Sequence, residues 1–217
     1  MNIEQARDNM VEQQVRTWDV LDQRVLDAMR QIPRERFVPE RFGDLAFSDT
    51  AIPLDFGEAM MAPKVEGRML QALALRSTDR VLEVGTGTGY TAALAARLAG
   101  SVHSIDIHER FSTEALERLS MLGIPDVTTE TADAIRDFRP AEQFDAIALT
   151  GAVATLPGWC FEALAPGGRL FAIVGSGPIL SATLTMAGPS GAPVTERLFE
   201  TVVPYLRGAE PKTPFEF

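Results

Sequence analysis

Apolar residues at Ile3, Ala6, Met10, Val11 and Val15 recur at helical spacing and predict an N-terminal helix over 3–15. A second helix is expected from Asp22 to Gln31, with Val25, Leu26 and Met29 on one face. Asp22 can cap it, and Pro33 lies beyond its end. From Arg34 to Pro63 the periodicity fades and prolines recur at 39, 53 and 63, so this stretch is expected as an irregular loop with short extended pieces. A loop that long in a compact domain points to a functional role. Pro63 suits the first turn of a helix running to about Leu75.

The pattern then becomes regular. Apolar strands are expected at Arg80–Val84, Val102–Asp106, Val127–Thr131, Phe144–Leu149 and Arg169–Val174. Helical stretches lie between them at Tyr90–Ala99, Glu109–Leu122 (ended by Gly123) and Trp159–Leu164, with Pro166-Gly167-Gly168 turning into the fifth strand. A short helix is one reading of Ala134–Phe138. Ser181–Met186 and Val194–Val203 flank the turn-rich Gly188–Gly191 and read as a terminal antiparallel hairpin. Such alternation predicts an α/β fold, a doubly wound and mostly parallel sheet of seven strands with an N-terminal helical extension.

Composition narrows the partners. Twenty Lys and Arg against thirty Asp and Glu give a formal charge of −10, which argues against non-specific nucleic-acid binding. The one cysteine, Cys160, allows no internal disulfide and suits a reducing cytoplasm; it reads as a buried apolar residue. No signal-peptide pattern and no apolar run long enough to span a membrane are evident. His103 and His108 are the only histidines, too few for a metal cluster, and neither a Gly-x-Ser-x-Gly elbow nor a Walker loop occurs.

The candidate chemistry sits at Glu83-Val84-Gly85-Thr86-Gly87-Thr88-Gly89, where a strand runs through three glycines into a helix. That is the first unit of a ligand-binding doubly wound fold. The third glycine comes one residue earlier than in a dinucleotide fingerprint, and Glu83 is more natural beside a cationic ligand than a pyrophosphate. The pattern favours S-adenosylmethionine over NAD; a turn that needs small residues only for packing is the alternative. Asp106, 21 residues after Gly85 and followed by Ile107, can accept from both ribose hydroxyls or cap the next helix. Asp133, between Ala132 and Ala134, can reach an adenine amino group or serve as an N-cap. Thr150 and Gly151 fall at the carboxyl end of the fourth strand, where ligands sit in open sheets.

Across nearly the whole chain these residues resemble the protein-L-isoaspartate O-methyltransferase family. Val81–Tyr90 is similar to its first methyltransferase motif and Phe144–Ala152 to its strand-four motif, followed by a similar Leu164–Leu170. The N-terminal blocks are more specific: Ile32-Pro33-Arg34-Glu35-Arg36-Phe37-Val38-Pro39 and Ile52–Glu58. Val203-Pro204-Tyr205-Leu206-Arg207-Gly208 is similar to its C-terminal block. The resemblance implies a single domain over 1–217, with N-terminal helices and substrate loop in 1–62 and a cofactor-binding core in 63–217. It implies S-adenosyl-L-methionine as methyl donor, held by Glu83, Gly85–Gly89, Asp106, Ile107, Asp133, Ala134 and Thr150, and an isoaspartyl protein or peptide as acceptor. The family's Thr-Ile-Ser-x-Pro reads Ala59-Met60-Met61-Ala62-Pro63 here, so Met61 stands in place of the serine that binds the acceptor. A lost hydrogen bond to a charged group is worth about 1.5–3 kcal/mol. A different acceptor, or a cofactor-binding protein without isoaspartyl activity, are therefore rival expectations. No catalytic acid or base is expected, because a carboxylate nucleophile is already ionised near neutral pH.

Overall fold

The computed structural model describes residues 2–187 and 193–212. The chain begins with α1 (Ile3–Met10), capped by the Asn2 side chain, which accepts from the Gln5 amide at 3.2 Å. The single helix expected over 3–15 changes winding: it widens into a π-helical turn at Val11–Val15, tightens over Arg16–Trp18 and stops at Asp19 in a left-handed conformation. Met10, Val11 and Val15 are all fully buried, so the change keeps three neighbouring apolar residues turned inward. Helix α2 (Gln23–Gln31) follows, and Asp22 is its cap, accepting from the Arg24 amide at 2.9 Å.

The segment expected as a loop holds three 3₁₀ turns and a two-residue ladder between β1 (Ile52–Pro53) and β2 (Ala59–Met60). Pro63 then occupies the first turn of α3 (Pro63–Leu73). Alternation runs through β3 (Arg80–Val84), α4 (Tyr90–Leu98), β4 (Ser101–Asp106), α5 (Glu109–Met121), β5 (Val127–Thr131), β6 (Phe144–Val153), α6 (Trp159–Glu162), β7 (Leu164–Val174), β8 (Leu180–Met186) and β9 (Val194–Thr201). The seven-stranded sheet has the order β5-β4-β3-β6-β7-β8-β9. Its first five strands are parallel, and β8 and β9 add antiparallel. The turn expected at Gly188–Gly191 lies outside the described residues.

Several boundaries differ from the sequence pattern; the fifth expected strand begins at Leu164 rather than Arg169, so Pro166-Gly167-Gly168 lies inside β7 and not in a turn before it. Strand β6 continues past Leu149 to Val153 because its register slips against β7 between Ala148 and Ala152, a bulge that carries Thr150 and Gly151. Helix α6 is one turn and stops before Leu164, which pairs with Phe144 instead. Residues 134–137 form a turn rather than a helix, closed by the Phe138 amide donating to the Asp133 carbonyl at 2.9 Å.

Strand order reverses between β3 and β6, so the connections leaving their carboxyl ends run to opposite sides and open a crevice there. One apolar cluster joins the N-terminal helices to α3, α4 and one sheet face; a second, around Leu82, Phe144 and Trp159, lies on the other. Among the described residues no helix is long and apolar enough to cross a membrane.

Candidate functional site

The crevice is a cleft at the carboxyl ends of β3, β4 and β6. Gly85, Gly87, Asp106, Ile107, Asp133, Ala134 and Thr150 line it. Gly85 has φ +100°, and a Cβ there would lie 2.3 Å from Thr150 Oγ1. That hydroxyl donates to the Val84 and Gly85 carbonyls at 2.9 Å, clamping β3 to the β6 bulge. Only glycine allows this approach.

The Asp106 carboxylate is buried at the end of β4. Oδ2 accepts from the Gly87 amide and Oδ1 from the His108 amide, both at 2.9 Å. Each oxygen retains acceptor capacity toward the cleft. Burial pushes this carboxyl up and the two amides pull it down. Asp133 serves the turn that follows it: Oδ1 accepts from the Ile135 and Arg136 amides at 2.9 and 3.0 Å.

Other predicted residues face elsewhere. Glu83 is fully buried beneath the glycine loop and lines no cavity wall. Its Oε2 accepts from Ser104 Oγ at 2.5 Å, Ser104 Oγ lies 2.6 Å from Thr86 Oγ1, and its Oε1 has no partner. Burial pushes the carboxyl up to about 8; the Ser104 bond works against this, and the nearby Asp106 and Glu66 charges add to it. Gly89 lines neither the cleft nor the smaller cavity beside it and is required by packing, since a Cβ would lie 2.9 Å from the Ala115 Cβ. Thr86 and Thr88 line a smaller cavity next to the cleft, shared with Ala59, Met60, Met61, Glu66 and Tyr90.

That smaller cavity is where the substrate-loop expectation falls. Met60 and Met61 are only 6% and 5% exposed, so both thioethers point inward, and Thr88 Oγ1 lies 3.8 Å from Met60 Sδ. Pro63 is buried at the start of α3 and lines neither cavity. Behind the loop, Arg34 is completely buried. It donates to the Met61 carbonyl at 2.7 Å, to the Ala46 carbonyl at 3.1 Å and to the Glu66 carboxylate. The Tyr90 hydroxyl beside it is buried without a partner.

A further wall escaped the candidate set drawn from sequence. Glu58, His108 and Pro204–Arg207 line the cleft. Arg207 Nε donates to Glu58 Oε1 at 3.0 Å, and its Nη2 donates to the Phe56 carbonyl. Phe56, itself at φ +61°, stacks on His108 with ring centroids 4.1 Å apart. Asp55 accepts from Arg41 and Arg110, each at 2.9 Å. Residues 54–58 thus form a strap held from three directions. The C-terminal block was visible only as a family likeness, and no periodicity or spacing links it to Glu58.

Residues 5–186 match the family model for protein-L-isoaspartate(D-aspartate) O-methyltransferase. The chain belongs to that family. Isoaspartate O-methyltransferases similar to it include "Protein-L-isoaspartate O-methyltransferase 2" of Anaeromyxobacter sp., 40% identical over 167 residues that cover 77% of this chain and 69% of the relative. Another is "Protein-L-isoaspartate O-methyltransferase 1" of Syntrophobacter fumaroxidans, 36% identical over 191 residues, 88% of this chain and 89% of the relative. Among solved structures, a Plasmodium falciparum protein-L-isoaspartate O-methyltransferase in complex with S-adenosyl-L-homocysteine superposes with a TM-score of 0.81. It is 19% identical, with 93% of this chain and 98% of that one covered, a likeness of fold.

Proposed function

We propose that this protein binds S-adenosyl-L-methionine in the cleft and methylates the carboxylate of an isoaspartyl residue in a protein or peptide. One observation carries the proposal: the Asp106 carboxylate, the glycine loop and the Asp133 turn converge on one cleft that abuts the Met60–Met61 cavity. The residues suit the ligand. Asp106 offers acceptors for ribose hydroxyls, the apolar surfaces of Ile107, Ala134 and Ile135 suit a nucleobase, and Gly85 and Gly87 leave room for close backbone approach.

When bound, the cofactor supplies a methyl group already activated on a sulfonium. The protein's part is to hold, orient and dry the reactants. Asp106 and the loop fix one partner; the segment over Met60–Met61, gripped through its carbonyl by Arg34, bounds the place where the other must lie. No side chain need take a proton, because the acceptor carboxylate has a pKa near 4 and is ionised at neutral pH. By this division the acceptor is served chiefly from 1–62 and the cofactor chiefly from 63–217, within one domain, with Leu54 and Glu58 reaching across to the cofactor cleft. A single buried cysteine, Cys160, whose thiol is pushed up to about 12 by burial, suits work in the cytoplasm.

A second reading has its own support: the inward thioether of Met61 offers no hydrogen bond to a carboxylate. An acceptor of different chemistry, or retention of the cofactor without isoaspartyl turnover, follows from it. Transfer of tritiated methyl to an isoaspartyl peptide separates the two. Turnover that is lost in Asp106→Ala supports the main proposal. Normal binding of S-adenosyl-L-homocysteine with no labelled ester supports the second.

A further inference from the structure

Leu54 and Gly87 line three cavities: the cofactor cleft, the small cavity under Met60 and Met61, and an outer groove of about 900 Å³, open solvent included. Thr88 is shared by the small cavity and the groove, so the groove leads past Thr88 toward the place assigned above to the acceptor. Three arginines line it, Arg41, Arg110 and Arg118. The first two are neutralised locally: both donate to Asp55, and Arg110 donates also to Glu114 at 2.6 Å. Glu40 is exposed on the rim.

Arg118 is different. It is half-buried, and Nη1 donates to the Thr88 carbonyl at 2.6 Å. Among the described residues no carboxylate pairs with it. Burial holds its pKa below the ordinary arginine value, and the nearby Glu114 charge offsets this only in part. Bracing one backbone carbonyl requires a single neutral donor, whereas a guanidinium carries five N–H groups in a fork that matches a carboxylate. A partly desolvated cation with no ion pair of its own, whose one nearby carboxylate, Glu114, is bonded to Arg110, is arranged to receive an anion from outside.

We propose that this groove is an acceptor subsite in which Arg118 receives a second carboxylate, carried by the polypeptide acceptor next to the group that is methylated. This rests on the methyltransferase function proposed above. The carboxylate could be an acidic side chain or a chain terminus. The whole protein carries a charge of −10, so any preference for an acidic peptide must come from a local contact of this kind.

The test compares isoaspartyl peptides with Glu or Gln at each flanking position, each with a free or an amidated C-terminus, at about 0.15 M salt to screen long-range repulsion. The expected kcat/KM for the preferred Glu peptide, or for the free-terminus peptide, is about fivefold above its neutral counterpart, mostly through KM. Arg118→Gln should bring that ratio to one, and Arg118→Lys should keep part of it. Arg118→Gln can also loosen Thr88 and slow every peptide, but only a subsite changes the ratio. Equal rates for acidic and neutral peptides on the unaltered protein would overturn the proposal. If no peptide is methylated, calorimetry on the protein saturated with S-adenosyl-L-homocysteine decides. Tighter binding of the acidic peptide that depends on Arg118 upholds the subsite while the isoaspartyl function fails; equal binding removes the subsite.

Discussion

The two halves of the site are built by different means. The proposed cofactor side consists of short polar groups and glycines at strand ends, each held by neighbours in sequence or by the adjacent strand: Asp106 by Gly87 and His108, Thr150 by Val84 and Gly85, Asp133 by its own turn. The proposed acceptor side hangs on one buried guanidinium, Arg34, which joins Ala46, Met61 and Glu66 across 12, 27 and 32 residues. Local construction makes the first half insensitive to most changes around it. The second depends on a single long-range knot, and its loop can change composition only while that knot holds.

The largest effect that would break this contrast comes from Arg34→Met. It leaves the Glu66 carboxylate and two backbone carbonyls buried without their donor, and a loss of about 3–5 kcal/mol in unfolding free energy is expected. Urea unfolding measures it. Hydrogen exchange should show protection lost first in 46–62, while amides in β3 and β4 keep theirs; uniform loss would erase the distinction.

Gly85→Ala strikes the other half. A methyl group driven against Thr150 at φ +100° should cost about 1–3 kcal/mol and lower affinity for S-adenosyl-L-homocysteine about tenfold or more by calorimetry. The Arg34 knot and the 46–62 segment should be untouched.

Met61→Ser sharpens the comparison from the acceptor side. The regained hydroxyl should raise kcat/KM on an isoaspartyl peptide about tenfold, with S-adenosyl-L-homocysteine affinity unchanged. The buried thioether it removes should cost about 1–3 kcal/mol of stability. Unchanged turnover would mean that the carboxylate is seated without that position.

The smallest effect is a pH slope from Glu83. Its folded pKa of about 8 lies above the ordinary glutamate value, so the folded chain holds a proton that the unfolded chain has released. The stabilising contribution is complete below the unfolded pKa and is lost as pH rises through about 8. Between pH 5.5 and 7.5 the unaltered protein should lose up to about 1.4 kcal/mol per pH unit from this group, and Glu83→Gln should flatten that slope in urea titrations.

This difference in construction also governs what could be read from the sequence. The order of strands and helices and the glycine loop are written in short-range spacing, so β3, α4, β4 and α5 fall within a residue or so of their expected bounds. Thr150 was found as a strand end, but the bulge that carries it depends on register with β7, and no residue type marks that slip. Glu83 was expected beside the ligand because it precedes the loop; strand alternation instead turns it under the loop toward Ser104. The Arg34–Glu66 pair and the Arg207–Glu58 contact join elements far apart in sequence, where spacing carries no information. Only the family likeness had brought those two blocks to notice.

The strap has a consequence for how the protein becomes and stays competent. Arg207 and Phe56 are 151 residues apart, so the contact that pins the strap beside the cleft closes a loop containing every strand of the main sheet. Such a contact is entropically late to form and early to open. A ligand seated beside it would then act as a clasp on the finished fold: retained while Phe56 and Arg207 stay joined, and released by the first partial opening, well before the sheet itself comes apart.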